Sequence, residues 1–576
     1  MESVPARPVS AAGSVPVAGQ ALLELLRRRG VRFFFANSGT DFASVSEGLA
    51  AAAAAGVPVA EPVLVAHENV AVGMAYGVAM VSGEPQALMV HVNVGTANAL
   101  CGLINASREN VPMLLMAGRT PLYEEGPAGA RSMNIHWAQE MFDQGGMVRE
   151  HVKWDYELRS ARQLETALDR ALAIAKTEPK GPVYLTLPRE VLAEPAATLV
   201  SPGAPLMTPP AAPRPDPAAV GRIAAVLARA ERPLIVTARA GREPEAVPLL
   251  AALAERHALP VVECKPKHLN LPSDHPMHGG YDTDPWLDEA DAILVLESDV
   301  PWIPSIKQPR PGTPILQAGI DPLFARYPMR GFRADIAVTA APAHFIPVLD
   351  AALEALADGG SRARATARRT RIAARAEARA AQARQAIEAA RRGKPMGFAW
   401  VTHCLSQAAG TEAIYVNEYS LVRPALRVTR PGGFFNSSPV GGLGWGLPAA
   451  LGAKLAAPER LVVAGLGDGS YVFANPVACH QAAAEYGIAT LTVVFNNGGY
   501  NAVQAATRAM YPDGQAMRAG TPLAWFRQSP AHERVIEACG GFGERVEDAD
   551  ELPAALDRAL AAVRGGRQAL LNVICA

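Results

Sequence analysis

The amino-acid sequence predicts an α/β protein of three doubly wound, parallel-sheet domains. Three observations predict it. Residues 461–500 run buried strand, Gly-rich loop, Ala-rich helix and second apolar strand, the grammar of a parallel βαβ unit. The same α/β grammar recurs in the first third of the chain and again between about 216 and 353. At 576 residues the chain is long enough for three or four domains of ~150 residues.

Composition is that of a globular chain, 49% hydrophobic and 19% charged. A formal net charge of −1 offers no global attraction to nucleic acid or an anionic membrane. The 6 cysteines are scattered without a CxxC pair, which argues against a zinc site or a disulfide framework and fits a reducing cytoplasm. No apolar run reaches the ~18 residues that span a bilayer, and the N-terminus lacks a basic region followed by an apolar core. A cytoplasmic protein without nucleic-acid or membrane partners is expected.

Taken in order, residues 1–15 are rich in Pro, Ala and Ser and are expected to be disordered. The first domain spans 16–195. It opens with an amphipathic helix over 19–29 and a strand over 31–36 that ends in Asn37-Ser38-Gly39-Thr40. Further strands are expected at 64–66, 87–91 and 113–117. The Pro-rich residues 201–217 read as a linker. The second domain, 216–353, has expected strands at 234–237, 260–263, 292–296 and 315–318. Gly241 follows the first of these, but no GxGxxG does, so a flavin (FAD) or nicotinamide site is unsupported there and not excluded. Residues 359–395 are rich in Arg and Ala and lack aromatics. A solvated connecting helix within a 354–395 linker fits them better than a nucleic-acid face. The third domain spans 396–576.

That third domain carries the most specific signal. Asp468 lies in Gly467-Asp468-Gly469-Ser470 after one strand, and Asn497 lies in Asn496-Asn497-Gly498-Gly499 after the next. Both turns are then at the carboxyl ends of neighbouring parallel strands, where open α/β sheets bind ligands. The Asp468 carboxylate, the Asn497 amide oxygen and the Gly499 carbonyl suit Mg2+, a hard cation that shares its oxygen ligands with phosphate. Gly469 lets phosphate approach the backbone, and the helix start behind it favours negative charge. Either turn alone is an ordinary strand-end turn. Together, with 26 residues between Gly469 and Asn496 (470 to 495), they resemble the thiamine diphosphate (ThDP) motif.

Glu68 opens the helix-forming stretch ENVAVGMAYGVAMVSG. It is either a carboxyl that activates a cofactor in a dry site or a first-turn glutamate favoured by the helix dipole. His91 ends a strand and enters a Gly turn at the ligand edge, the place for an acid/base group. His480 reads as structural. His136 either reaches the cleft or caps local structure.

Beyond the two turns, similarity extends over His67-Glu68-Asn69-x-Ala71-x-Gly73-Met74-Ala75, over His91-Val92-Asn93-Val94-Gly95-Thr96-Ala97-Asn98, over Val152-Lys153-Trp154, and over Gly441-Gly442-Leu443-Gly444-Trp445-Gly446-Leu447-Pro448-Ala449-Ala450. On these segments nearly the whole chain resembles the ThDP-dependent decarboxylase and acetolactate-synthase-like superfamily, and most of all its benzoylformate-decarboxylase-like members. The resemblance implies a pyrimidine-binding, a middle and a diphosphate-binding domain. It makes Glu68 the activating glutamate and Leu443 the aliphatic prop under the bent cofactor. The Gly441 backbone becomes the aminopyrimidine contact, and Ser470 and Ser420 diphosphate contacts. Asp468, Asn497 and the Gly499 carbonyl become the magnesium ligands. It gives His91 an acid/base role, and Thr40 falls where a serine touches the substrate carboxylate. The family's second catalytic histidine has no counterpart in residues 299–305, and residues 501–526 depart from the pattern. The implied activity is magnesium- and ThDP-dependent decarboxylation of a 2-oxo acid, with or without carboligation, in a homodimer or homotetramer whose cofactor lies between subunits. An acetolactate-synthase-type carboligase and a non-catalytic ThDP-binding protein are the alternatives.

Overall fold

The computed structural model describes residues 16–196 and 203–576. The disorder expected for residues 1–15, and the first two residues of the Pro-rich linker, lie outside these.

Three parallel six-stranded sheets follow one another along the chain. The first contains β1 (Phe33–Ala36), β2 (Glu61–Leu64), β3 (Gln86–Val90), β4 (Met113–Arg119), β5 (Asp155–Glu157) and β6 (Pro182–Pro188). The second contains β7 (Pro233–Thr237), β8 (Val261–Glu263), β9 (His278–Gly280), β10 (Ala292–Leu296), β11 (Ile315–Gly319) and β12 (Ile336–Thr339). The third contains β13 (Ile414–Glu418), β14 (Phe434–Asn436), β15 (Val462–Gly467), β16 (Leu491–Asn496), β17 (Phe542–Val546) and β18 (Ala569–Ile574). The central strands are buried on both faces by helices, which is why they read as unbroken apolar runs.

The first sheet has the order β2-β1-β3-β4-β6-β5, and the third has β14-β13-β15-β16-β18-β17. The two are one topology used twice, although no sequence repeat joins them. The second sheet, β12-β11-β10-β7-β8-β9, has the dinucleotide-fold order and reverses direction between β7 and β10. At that crevice the backbone N–H groups of Ala238 and Arg239 both donate to Glu297 O, at 3.3 and 3.0 Å. The wholly buried Arg239 guanidinium pairs there with Glu109 of the first domain and with Asp299. Gly241 packs on the Leu269 carbonyl. The turn is thus built around side-chain ion pairs rather than a glycine cradle for a pyrophosphate.

One expected strand is misplaced. The strand expected at 64–66 lies at Glu61–Leu64, and Val65–His67 form its exit toward the next helix. β2 is an edge strand with only Val63 of its four residues buried, so its pattern is faint. The three-residue strands β5, β9 and β14 are too short to show periodicity.

The first and third domains join through two helices rich in small residues. Glu68–Ser82 packs on Gly446–Ala456, with Gly73 against Pro448, Gly77 against the Ala449 carbonyl and Gly452 against the Met74 carbonyl. None of these three glycines has room for a Cβ. The Arg/Ala-rich segment is one helix, Gly359–Arg392. Arg368 donates to the carbonyls of Ala230, His257 and Ala258, and Arg364 to that of Ala228. These carbonyls end the helices Pro217–Arg229 and Ala246–His257, where no backbone donor is left. Those arginines are therefore committed to the middle domain. All six cysteines are free. Among the described residues no helix is long and apolar enough to cross a membrane.

Candidate active site

β15 and β16 are parallel neighbours, and their carboxyl ends carry Asp468 and Asn497 side by side. Asp468 is buried, and burial raises its carboxyl above the ordinary range despite the Gly469 N–H that bonds Oδ1 at 2.9 Å. Its Oδ2 is buried with no hydrogen-bond partner. The Asn497 side-chain amide lies 3.2 Å from Asp468 Oδ1 and 2.9 Å from the Gly499 carbonyl oxygen. Turned nitrogen-inward, that amide donates to both. Turned oxygen-inward, it makes three converging oxygens whose repulsion only a cation relieves. One carboxylate, one amide and one carbonyl make a donor set that suits a magnesium ion completed by diphosphate and water. The set contains no histidine or thiol, and no cluster of three His, Cys, Asp or Glu residues occurs among the described residues. A magnesium diphosphate fits this edge.

The glycines here serve close approach. Gly469 packs under the Tyr500 ring, and Gly499 packs on Ala524 and Trp525. The helix starting at Asp468 ends at Phe473, so its six residues supply only a short dipole. Ser470 is buried, and its hydroxyl acts against the rise of the Glu418 carboxyl. Ser420 is buried too, and its hydroxyl donates to Asn417 Oδ1 at 3.2 Å. To donate to a phosphate, the Ser420 hydroxyl would have to leave Asn417.

Glu418 was not singled out by sequence. It is fully buried at the end of β13 and accepts the N–H groups of Gly444 (2.8 Å) and Gly446 (2.6 Å). Burial pushes its carboxyl up to about 7 against the pull of these donors. The Gly442 carbonyl accepts from Asn105 Nδ2 of the first domain at 2.8 Å. The loop holding Gly441 (φ +73) and half-buried Leu443 is thus pinned on both sides of Leu443.

The other half of the candidate site is at the carboxyl edge of the first sheet. Glu68 opens its helix, is half-buried, and accepts from Asn98 Nδ2 at 3.1 Å. His91 follows β3 and caps the helix Val92–Arg108. Its Nδ1 lies 2.6 Å from Asp41 Oδ1, and its Nε2 lies 3.1 Å from the Gln139 amide. The bond to Asp41 holds His91 above the usual imidazole range, with Glu68 adding to the effect and burial opposing it. Thr40 is exposed in the short turn Thr40–Phe42, next in the chain to Asp41. Asp41 was missed in the sequence. The signal available was only its place beside Thr40.

His136 is buried, and its Nδ1 accepts from Ser132 N at 3.1 Å, so it caps local structure. His480 is buried between Tyr471 OH (2.9 Å) and Gln568 Oε1 (2.8 Å), and burial lowers it to about 4. Both of its nitrogens serve the core.

Three family models match the chain in order. They are the thiamine pyrophosphate enzyme N-terminal TPP binding domain at residues 17–147, the central domain at 220–349 and the C-terminal TPP binding domain at 417–573. Benzoylformate decarboxylase of Pseudomonas aeruginosa is 29% identical over 456 residues, 76% of this chain and 79% of that protein. Acetolactate synthase isozyme 3 large subunit of Escherichia coli is 26% identical over 534 residues, 89% of this chain and 87% of that protein. The solved thiamine diphosphate-dependent 4-hydroxybenzoylformate decarboxylase of Rhodococcus jostii RHA1 shares the fold, with a TM-score of 0.76 over 97% of this chain and 99% of that one at 23% identity.

Proposed function

This chain belongs to the thiamine pyrophosphate enzymes, and from that premise we propose that it decarboxylates a 2-oxo acid with ThDP and magnesium. The observation that carries the reading is the convergence of the Asp468 carboxylate, the Asn497 side-chain amide and the Gly499 carbonyl, with one buried carboxylate oxygen lacking a partner. The similarity to benzoylformate decarboxylase of Pseudomonas aeruginosa supports an aromatic or related 2-oxo acid as substrate.

Asp468, Asn497 and the Gly499 carbonyl hold the magnesium ion. Gly469 would clear the approach of the diphosphate, and the Gly441 backbone and Leu443 side chain would support the aminopyrimidine and the bent cofactor. When bound, ThDP supplies a thiazolium that accepts the electron pair left by departing carbon dioxide. Glu68 would hold a proton at its carboxyl, facing the aminopyrimidine. His91 delivers or takes a proton at Nε2, and the Thr40 hydroxyl bonds the substrate carboxylate.

Such a site must be dry. In the single chain Leu64 (51% exposed) and Val94 (51%) flank the Glu68 edge, while Tyr419 (54%) and Phe473 (51%) lie on the third domain near the diphosphate edge. A second copy of the chain covers these surfaces in our reading, as a homodimer or a homotetramer with cofactors between subunits. The Glu68→Gln variant tests the assignment at saturating ThDP. Loss of general acid–base catalysis is expected to lower kcat by about 10²–10⁴-fold. Unchanged turnover would remove Glu68 from the mechanism.

A further inference from the structure

We propose that Asp41 is the positioning residue of His91, a buried carboxylate that fixes the imidazole in its Nδ1–H tautomer and leaves Nε2 to carry the mobile proton. The inference rests on the reading of His91 as proton carrier and deepens it. Family pattern points to the neighbouring Thr40, whereas the geometry points to Asp41.

Asp41 Oδ1 lies 2.6 Å from His91 Nδ1; the Asp41 side chain is 4% exposed and that of His91 18%. An ionised carboxylate only accepts, so the shared proton belongs to Nδ1. In the neutral ring Nε2 then bears the lone pair, and the Gln139 amide at 3.1 Å donates to it. Asp41 Oδ2 accepts from Val92 N at 3.3 Å, so both carboxylate oxygens are engaged.

The surroundings are fitted to this pair. A Cβ on Gly39 would overlap the His91 ring, and one on Gly118 would overlap the Asp41 carboxylate. Val92 is held at φ +34, in a region that β-branched residues avoid, with its N–H toward Asp41. The turn Thr40–Phe42, β4 through Gly118, and the helix Val92–Arg108 converge on one carboxylate. The titratable groups that act on His91 are Asp41 and Glu68, which both favour the imidazolium. His136, which senses His91, is itself lowered by burial. Protonation of Nε2 requires the Gln139 amide to turn its oxygen inward, so that amide follows the charge on the ring.

The test compares wild type with Asp41→Asn, both loaded with ThDP and magnesium. Asn fits the same space, but its NH2 donates to Nδ1 and carries no charge. The pH midpoint of deuterium exchange at the His91 C2–H, resolved by peptide mass spectrometry, is read beside the pH profile of kcat. In wild type the midpoint is expected above the ordinary imidazole value of about 6.5. In Asp41→Asn it is expected to fall by about one unit or more, with the acid limb of kcat moving alongside and KM little changed. A midpoint unmoved by the substitution overturns the inference. A moved midpoint with an unmoved kcat limb sustains the role of Asp41 and overturns His91 as proton carrier. Should the variant not fold, wild type alone decides. An Nε2–H tautomer in the nitrogen-15 imidazole spectrum, or a midpoint below the ordinary value, overturns the proposal.

Discussion

Gly77 lies in the close seam between the first and third domains, and a single methyl there tests how tightly the two are packed. Its Cβ would overlap the Ala449 carbonyl oxygen and lie 2.8 and 2.9 Å from the Ala449 C and Cα. These are backbone atoms of a helix, so no side chain can turn aside. The helices must part by roughly 1 Å, a misfit that costs about 1–3 kcal/mol in a well-packed core. Replacing Gly by Ala within a helix contributes about 1 kcal/mol in the opposite direction. Gly77→Ala is therefore expected to destabilise by about 1–2 kcal/mol, or roughly 2–8 °C in Tm for a domain of this size. Gly221 is the control. It lies inside the helix Pro217–Arg229 with nothing within 4 Å of its would-be Cβ. Gly221→Ala keeps the helix gain without the clash, so it is expected to stabilise by up to about 1 kcal/mol. Thermal unfolding of both variants by circular dichroism, with kcat measured beside it, checks the pair. Because Glu68 opens one of the parted helices and the Leu443 loop leads into the other, Gly77→Ala is also expected to lower kcat. If Gly77→Ala and Gly221→Ala melt alike and turn over alike, the reasoning from close packing is refuted.

Arg239→Met leaves Glu109 and Asp299 buried without the guanidinium that bonds both, and is expected to cost about 3–5 kcal/mol in urea unfolding; a shift below about 1 kcal/mol would mean that these ion pairs do not hold the domains together. Asp468→Ala removes the carboxylate of the oxygen cluster, so magnesium-dependent retention of ThDP in equilibrium dialysis is expected to be lost, and retained ThDP would contradict the ligand assignment. His480 titrates at about 4 in the folded protein against about 6.5 unfolded. Only the unfolded chain binds its proton in that window, so stability is expected to fall by about 3 kcal/mol as pH drops from 6.5 to 4. His480→Gln should flatten that part of the stability–pH curve, and an unchanged slope would assign it to other groups.

What was legible in the sequence followed from burial and from turn chemistry. β10 lies where the unbroken apolar run 292–296 places it, because both faces of that strand are covered. The Asp468 and Asn497 turns were legible because each is a Gly-rich loop directly after an apolar strand, and those strands are parallel neighbours. The position of β2 was not, since an edge strand with one buried residue carries no period. Asp41 and Glu418 stayed hidden for another reason. Each is a polar residue whose meaning is a partner 50 positions away (His91) or 26 and 28 positions away (Gly444 and Gly446). Such pairings are made by the sheet topology and leave no local pattern. The shared topology of the first and third domains is likewise a property of strand order alone.

The most direct test of the central claim is product analysis by proton NMR. The purified protein with ThDP and magnesium is given benzoylformate or pyruvate, with and without an acceptor aldehyde. Decarboxylation predicts the corresponding aldehyde as main product from at least one of the two acids. A 2-hydroxy ketone or acetolactate as main product would instead make the chain a carboligase, and absence of any product from both acids would contradict the account of a decarboxylase for this substrate class.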